Sequence, residues 1–85
     1  MNSNMPTSIE LSASLLRILA QHPDGLKVQE LDQAVIQDLG VDSEVANQIR
    51  SGNRTEVKYR LAWCRTKAKQ QGLIERKPQN TWKLK

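Results

Sequence analysis

The chain has 85 residues, of which 38% are apolar, and its 13 basic against 9 acidic residues give a net charge of +4. This length builds one small domain with a thin core and leaves no room for a second domain or an enzyme-sized cleft. The apolar fraction is too high for a disordered chain, so we expect a single folded domain over residues 7–85 behind a disordered start at 1–6.

The first forty residues predict two helices separated by a short strand. Thr7 and Glu10 have the spacing of a capping box. Apolar residues then recur at helical spacing, at Leu11, Leu15, Ile18 and Leu19. Pro23–Asp24–Gly25 predicts a turn, and Leu26–Lys27–Val28 predicts the strand. The second helix ends at Gly40. Its apolar face comprises Leu31, Ala34, Val35 and Leu39.

The following segment predicts a short helix and then a long one. Asp42 is placed to cap the short helix, which contains Ile49 and ends at Ser51–Gly52. Asn53 is placed to cap the long helix, which we expect to span residues 54–71.

The C-terminal residues predict a β-hairpin. Its strands, Leu73–Lys77 and Thr81–Leu84, flank a turn at Pro78–Gln79–Asn80. Trp82 and Leu84 alternate with polar residues, so one face packs inward. The order of elements predicts an α+β, mainly helical fold, a winged helix-turn-helix with three main helices, a short extra helix and a C-terminal β-hairpin wing. The long helix is then the candidate recognition helix.

Charge is distributed unevenly along the chain. Residues 1–52 have three basic and seven acidic side chains, whereas residues 53–85 have ten basic and two acidic ones and all three aromatic residues. Such segregation indicates that the C-terminal part faces a polyanion.

Residue types separate around the long helix at about 100° per residue. Its core stripe comprises Val57, Leu61, Cys64 and Ala68. Beside this stripe lies a basic edge, formed by Arg54, Lys58, Arg65 and Lys69, and opposite it lies a face of small or polar residues, formed by Thr55, Tyr59, Ala62 and Thr66. Such an edge suits phosphates and such a face suits base edges. With the end of the hairpin added, the predicted contacts to double-stranded DNA are Arg54, Thr55, Lys58, Tyr59, Ala62, Arg65, Thr66, Lys69 and Lys77. Trp63 lies on the remaining flank, where we expect it to fill core or cover the hairpin.

Two other functions stay open at this point. The acidic first part and the basic second part could pair head to tail in a homodimer or dock a protein partner, in an adaptor that keeps the fold without touching DNA. Tyr59 and Trp63 could instead stack on single-stranded DNA or RNA.

No catalytic or metal-binding constellation is present in the sequence, so we expect a non-enzyme without a cofactor or metal. Cys64 is the only cysteine and His22 the only histidine, and no phosphate-binding loop occurs. The start lacks a basic, apolar leader and no run is long enough to cross a bilayer, so we expect a cytoplasmic protein that does not bind membranes.

A motif in the C-terminal half has the form Ser-Gly, then Arg-x-x-Trp-x-Arg-Thr, then Gly-Leu-Ile-Glu and a final Trp. Its residues are Ser51–Gly52, Arg60, Trp63, Arg65, Thr66, Lys69, Gly72–Leu73–Ile74–Glu75 and Trp82, and the first two helices add Leu15–Leu19 and Gly25–Leu31. Together they resemble the N-terminal domain of Mrr-type restriction endonucleases. The resemblance implies a winged-helix fold and a DNA-binding role beside a nuclease domain.

The sequence departs from this family's pattern in three respects. The turn at Pro78–Gln79–Asn80 lacks the family's glycine and arginine, which weakens the case for wing contacts. Lys67 and Ala68 replace bulkier apolar residues, which predicts looser packing. The nuclease domain has no room in this chain, so neither cleavage nor recognition of methylated DNA is carried over.

Overall fold

A computed structural model of the chain describes residues 5–52 and 54–85. Its helices are α1 (Ser8–Ala20), α2 (Val28–Asp38), α3 (Ser43–Ala46) and α4 (Glu56–Gln70). Its strands are β1 (Leu26–Lys27), β2 (Ile49–Ser51), β3 (Arg54–Thr55), β4 (Ile74–Lys77) and β5 (Thr81–Leu84). The predicted α+β, mainly helical class is confirmed over these residues. Residues 1–4 of the predicted disordered start and Asn53, the predicted helix cap, lie outside the described residues.

Helix α1 begins with the predicted capping box. Thr7 Oγ1 accepts a hydrogen bond from the Glu10 amide at 3.1 Å, and Glu10 Oε1 accepts one from the Thr7 amide at 2.9 Å. Two N–H groups that the helix leaves free are thereby satisfied. Met5, which we expected in the disordered start, is half-buried and packs against the core.

The core lies where α1 crosses α2 and α4, and β4 covers one side of it. Its buried residues are Leu11, Leu15, Ile18, Leu19, Leu31, Val35, Val57, Leu61, Cys64, Ala68 and Ile74. Each large aliphatic side chain in this set contributes about 1.5–3 kcal/mol by leaving water. This packing fixes which face of α4 points inward and hence which face remains exposed.

The three described strands of the main sheet are antiparallel, in the order β1–β5–β4. Leu26 pairs with Trp82 and Ile74 with Leu84, and both Trp82 and Leu84 pack against the core as predicted. Gly25 has a φ of +88°, and a Cβ at this position would lie 2.6 Å from the Trp82 carbonyl oxygen. Only glycine therefore allows the chain to enter β1 so close to β5.

The prediction that the third helix extends to Ser51 is wrong. Helix α3 ends at Ala46, and Ile49 pairs instead with Thr55 in a β2–β3 ribbon, where it is largely exposed. The ribbon brings Arg50 onto the Glu56 carboxylate, an ion pair that favours the strand over a continued helix. The long helix consequently begins at Glu56, and Arg54 and Thr55, expected inside it, form β3.

Candidate nucleic-acid interface

Helix α4 presents its outer face to solvent because its apolar stripe is anchored in the core. Thr55 caps the helix, its hydroxyl accepting a hydrogen bond from the Lys58 amide at 3.3 Å. The predicted core residues of α4 are all buried. On the opposite side Thr66 is exposed, while Tyr59 and Ala62 are half-buried. The face that we predicted to approach bases is therefore accessible.

Three of the predicted phosphate-binding cations are exposed at one side of this face. They are Arg54, Lys58 and Lys69. Over residues 5–52 and 54–85, no carboxylate forms a salt bridge with any of them. Arg60, on another side of the same helix, is in contrast bound by Glu56 with an Nε–Oε2 distance of 2.8 Å. The three cations thus keep their charge available for an external anion.

The prediction that Arg65 belongs to this exposed basic edge is wrong. Its side chain is buried, and its guanidinium donates to the carboxylate of Asp32 on α2. It also lies 5.9 Å from the ring of Trp82 on β5. Arg65 follows Cys64 and precedes the buried Ala68 by three positions, so it borders the core stripe and turns toward α2. A guanidinium held there contacts protein rather than phosphate.

Burial raises the pKa of Asp32 above its ordinary value, and the positive charges of Arg65, Lys58 and Arg54 oppose this effect. Among the influences that favour the charged carboxylate, the positive charge of Arg65 is the largest, and the hydrogen bond from its guanidinium adds to it. Lys58 and Arg54 act on Asp32 only through their charge and remain at the surface.

Arg50, which the sequence prediction missed, lies with Arg54 beside the ring of Tyr59. The guanidinium carbon of Arg50 on β2 lies 3.7 Å from the centroid of the Tyr59 ring, and that of Arg54 lies 5.7 Å from it. Arg50 also donates to Glu56 at 2.9 Å. Arg60 and Arg50 lower the pKa of Glu56, which in turn raises that of Arg50. The sequence feature that could have revealed the β-ribbon with Arg50 is the Ser51–Gly52 pair, but this pair is compatible with a hairpin turn as well as with the end of a helix.

A shallow groove of about 310 Å³ runs along the outer face of α4. Its lining comprises Arg54, Tyr59, Ala62, Trp63 and Thr66. The expectation that Trp63 fills core or covers the hairpin is wrong, since 61% of it is exposed. Trp63 and Arg65 are two positions apart and hence about 160° apart around the helix. Trp82 of β5 lies near Arg65, on a different side of α4 from Trp63.

The last predicted contact, Lys77, stands at the end of β4 on a different element. Its side chain is half exposed, and its Nζ lies 3.9 Å from a carboxylate oxygen of Glu75. In the adjoining turn, Gln79 and Asn80 have positive φ values, and the side chain of Asn80 accepts a hydrogen bond from Arg76. Two basic side chains, Arg76 and Lys77, therefore lie at the end of β4 next to this turn.

The geometry defines a small α+β domain with an exposed basic helix edge and a basic hairpin. The chain belongs to the Mrr N-terminal domain family, whose sequence model matches residues 10–85. This finding confirms the resemblance seen in the motif around Trp63. The family describes an N-terminal domain and not a nuclease domain.

Neither the curated proteins nor the solved structures gave a match to this chain. Within the described ranges, no helix has the length and hydropathy needed to cross a membrane. No three histidine, cysteine, aspartate or glutamate side chains are grouped there so that they could hold a metal ion.

Proposed function

We propose that this chain binds double-stranded DNA as a non-catalytic winged-helix module, with α4 as its recognition helix. The observation that carries the proposal is the row of unpaired cations Arg54, Lys58 and Lys69 beside an accessible face of small and polar residues. Cations without acidic partners neutralise phosphates at little cost, because no internal ion pair has to break.

The topology supports the winged-helix assignment. Helices α1 and α2 are separated by the short strand β1, and α4 is followed by the hairpin β4–β5, whose second strand pairs with β1. In this arrangement the hairpin is the wing and α4 is free to enter a groove. Membership of the Mrr N-terminal family supports a DNA-related role in a restriction system.

Each contact residue has a distinct part in the proposal. Lys58, Lys69 and Arg54 bind phosphates, whereas Arg50 is paired with Glu56 and stacks on Tyr59 beside them. Thr55 caps the end of α4 whose backbone N–H groups attract phosphate. Residues of the outer face lie nearest the bases, namely Tyr59, Ala62 and Thr66. Lys77 contacts the backbone from the wing, and Arg65 is left out because it is buried.

The test compares two lysines on opposite sides of the same helix. Lys58 and Lys67 are nine positions apart, which places them about 180° apart. Binding of a mixed-sequence duplex is followed by fluorescence anisotropy as salt rises from about 50 to about 200 mM. We expect Lys58→Glu to weaken binding at least about tenfold and to lower the slope of log affinity against log salt by about 0.9. The matched control Lys67→Glu is expected to cause a clearly smaller loss.

Equal losses in the two variants would contradict the assignment of the edge, because they would reflect net charge alone. No binding of the parent chain at the lowest salt would contradict DNA binding itself. A last experiment lets duplex and single-stranded DNA of the same sequence compete for the chain. A preference for the single strand would favour binding by stacking on Tyr59 and Trp63 over duplex binding.

A further inference from the structure

The side of α1 that faces away from the core is apolar. It consists of Ile9, Ala13, Leu16 and Ala20, which follow one another at helical spacing. Ile9 is 81% exposed, Ala13 and Ala20 are exposed, and Leu16 is half-buried. The other side of α1 is buried in the core, so the helix is apolar on both faces. A helix that is apolar on both faces is usually covered by protein on both of them.

The apolar surface continues from α1 toward α4. A groove of about 520 Å³ lies between the two helices, and Ile9 and Leu16 border it from α1. Trp63 and Leu73, both exposed, border it from the other side. We call this combined surface, Ile9, Ala13, Leu16, Ala20, Trp63 and Leu73, the α1 face. It is a contiguous apolar patch of the kind that marks an interaction site.

The α1 face is complementary to itself when two copies of α1 run antiparallel. A two-fold axis between positions 14 and 15 places Ile9 against Ala20 of the second copy and Ala13 against Leu16 of the second copy. Each large side chain then meets a small one, which is the condition for close packing between helices.

The charges beside the α1 face fit the same register. Glu10 and Arg17 lie on one flank of α1, seven positions apart and thus two turns from each other. In the antiparallel pair, Glu10 and Arg17 of the second copy are offset by two positions, or about 3 Å along the axis. Symmetry repeats this pair, so two opposite-charge contacts border the apolar contact.

Both charged groups can make this contact while keeping their internal bonds. Arg17 gives one terminal nitrogen to Asp38 and its side chain is 51% exposed, so further N–H donors point outward. Glu10 uses Oε1 for the Thr7 amide, and a carboxylate has a second oxygen to offer.

We propose that the chain forms a symmetric homodimer through the α1 face, with antiparallel α1 helices and reciprocal Glu10–Arg17 ion pairs. This interface leaves the basic edge of α4 free, because Lys58 lies on the α2 side of the helix, with Lys69 three turns further on, and Trp63 lies on another side. Thr66 borders the same grooves as Trp63 and therefore lies where the two proposed surfaces meet. The dimer does not depend on DNA binding, although two linked basic helices would bind a duplex more tightly than one.

The first experiment measures the mass of the whole chain in solution. Sedimentation equilibrium from about 10 µM to about 1 mM covers the range expected for a small interface. We expect the average mass to rise from 9.7 kDa toward twice that value. Ala13→Glu puts like charges next to the two-fold axis and should raise the dimer Kd at least about tenfold. Gln29→Glu adds the same charge at an exposed position of α2 and should leave the Kd unchanged.

The second experiment tests the register through charge exchange. Glu10→Arg alone and Arg17→Glu alone each place like charges across the interface, so each is expected to be monomeric. An equimolar mixture of the two folded variants should dimerise, because every cross pair is then of opposite charge. Circular dichroism establishes that each variant is folded. If one of the charge variants fails to fold, the first experiment still tests the proposal, because Ala13 is exposed and its replacement does not disturb the core.

Three results would overturn the proposal. The first is a parent chain that stays monomeric over the whole range, which would leave the α1 face to a different protein. The second is a dimer that Ala13→Glu does not weaken. The third is a mixture of folded charge variants that stays monomeric. None of these results bears on whether Lys58 contacts DNA, so the two proposals fail separately.

Discussion

Arg65 of α4 donates to Asp32 of α2 inside the domain, and both side chains are less than a tenth exposed. The same guanidinium lies 5.9 Å from the ring of Trp82 on β5. One cation therefore links the proposed recognition helix to a neighbouring helix and to the hairpin. We infer that Arg65 sets the position of α4 and does not itself contact DNA.

Removing Arg65 alone should be costly, because it leaves the Asp32 carboxylate buried without its partner. We expect Arg65→Met to lower the free energy of unfolding by about 3–5 kcal/mol, and Asp32→Leu/Arg65→Met to stay within about 1–2 kcal/mol of the parent. Breaking the exposed pair with Asp38 in Arg17→Met should cost less than about 1 kcal/mol. Urea unfolding near pH 7 measures all three. A double variant as unstable as Arg65→Met would contradict this view of the pair.

Replacing Gly25 should loosen β1 from β5. Both Gly25 and Gly40 have a positive φ, but only at Gly25 would a Cβ meet another backbone atom. We expect Gly40→Ala to cost about 1 kcal/mol from the backbone conformation alone, and Gly25→Ala to cost at least about 2 kcal/mol. Faster amide hydrogen exchange at Trp82 in Gly25→Ala would locate the damage. Equal costs at the two positions would argue against the close approach.

Asp38 should contribute to the loss of stability in acid. The Ser14 hydroxyl and the Arg17 guanidinium donate to it and hold the pKa of its carboxyl below the ordinary 3.8. Its stabilisation is therefore complete above about pH 3.8 and is lost as the pH falls through the lower, folded-state pKa. We expect Asp38→Asn to flatten the pH dependence of the unfolding free energy in this window, measured by urea unfolding. If the unfolding free energy of Asp38→Asn fell in acid as steeply as that of the parent, Asp38 would not contribute to the acid loss of stability.

NMR titration of the Asp38 side chain in Ser14→Ala tests whether the Ser14 hydroxyl lowers the pKa of Asp38. This substitution removes the hydroxyl donor at a fully buried position and should move the pKa of Asp38 upward. A pKa that stays where it is in the parent would assign the shift to Arg17 alone.

The two tryptophans should differ in their importance for stability. Trp63 is mostly exposed, whereas Trp82 packs against the core and pairs with Leu26. We expect Trp63→Ala to change the free energy of unfolding by less than about 1 kcal/mol and Trp82→Ala to lower it by about 3 kcal/mol. Thermal unfolding of the two variants compares them directly. A large loss in Trp63→Ala would mean that this ring covers core after all.

The sequence predicted the helices and the hairpin because their signals are local. The Thr7–Glu10 capping box, the leucine spacing of α1 and the alternation of Trp82 with polar neighbours each act within a few residues. The β2–β3 ribbon was missed because the apolar spacing of Ile49 favoured a helix, whereas the contacts of Arg50 with Glu56 and Tyr59 depend on the chain folding back on itself.

The candidate site was predicted less completely than the fold. Helical periodicity separates the core stripe of α4 from its outer face, but it cannot tell which cations at the border have a buried partner. Arg65 was placed at the surface because Asp32 lies 33 positions earlier, a separation that no local pattern reveals. Trp63 was predicted to be buried because we assumed that the hairpin covers its side of α4. Which side the hairpin covers depends on tertiary packing, and local sequence patterns do not reveal it.

The most direct test of DNA binding by α4 is an NMR titration of labelled chain with a mixed-sequence duplex, at low and then moderate salt. We predict amide shifts confined to residues 54–69, Arg50 and the turn at 77–81, which decrease as salt rises and are lost in Lys58→Glu but kept in Lys67→Glu. An absence of shifts at low salt, or shifts centred on Ile9 and Ala13, would contradict the account.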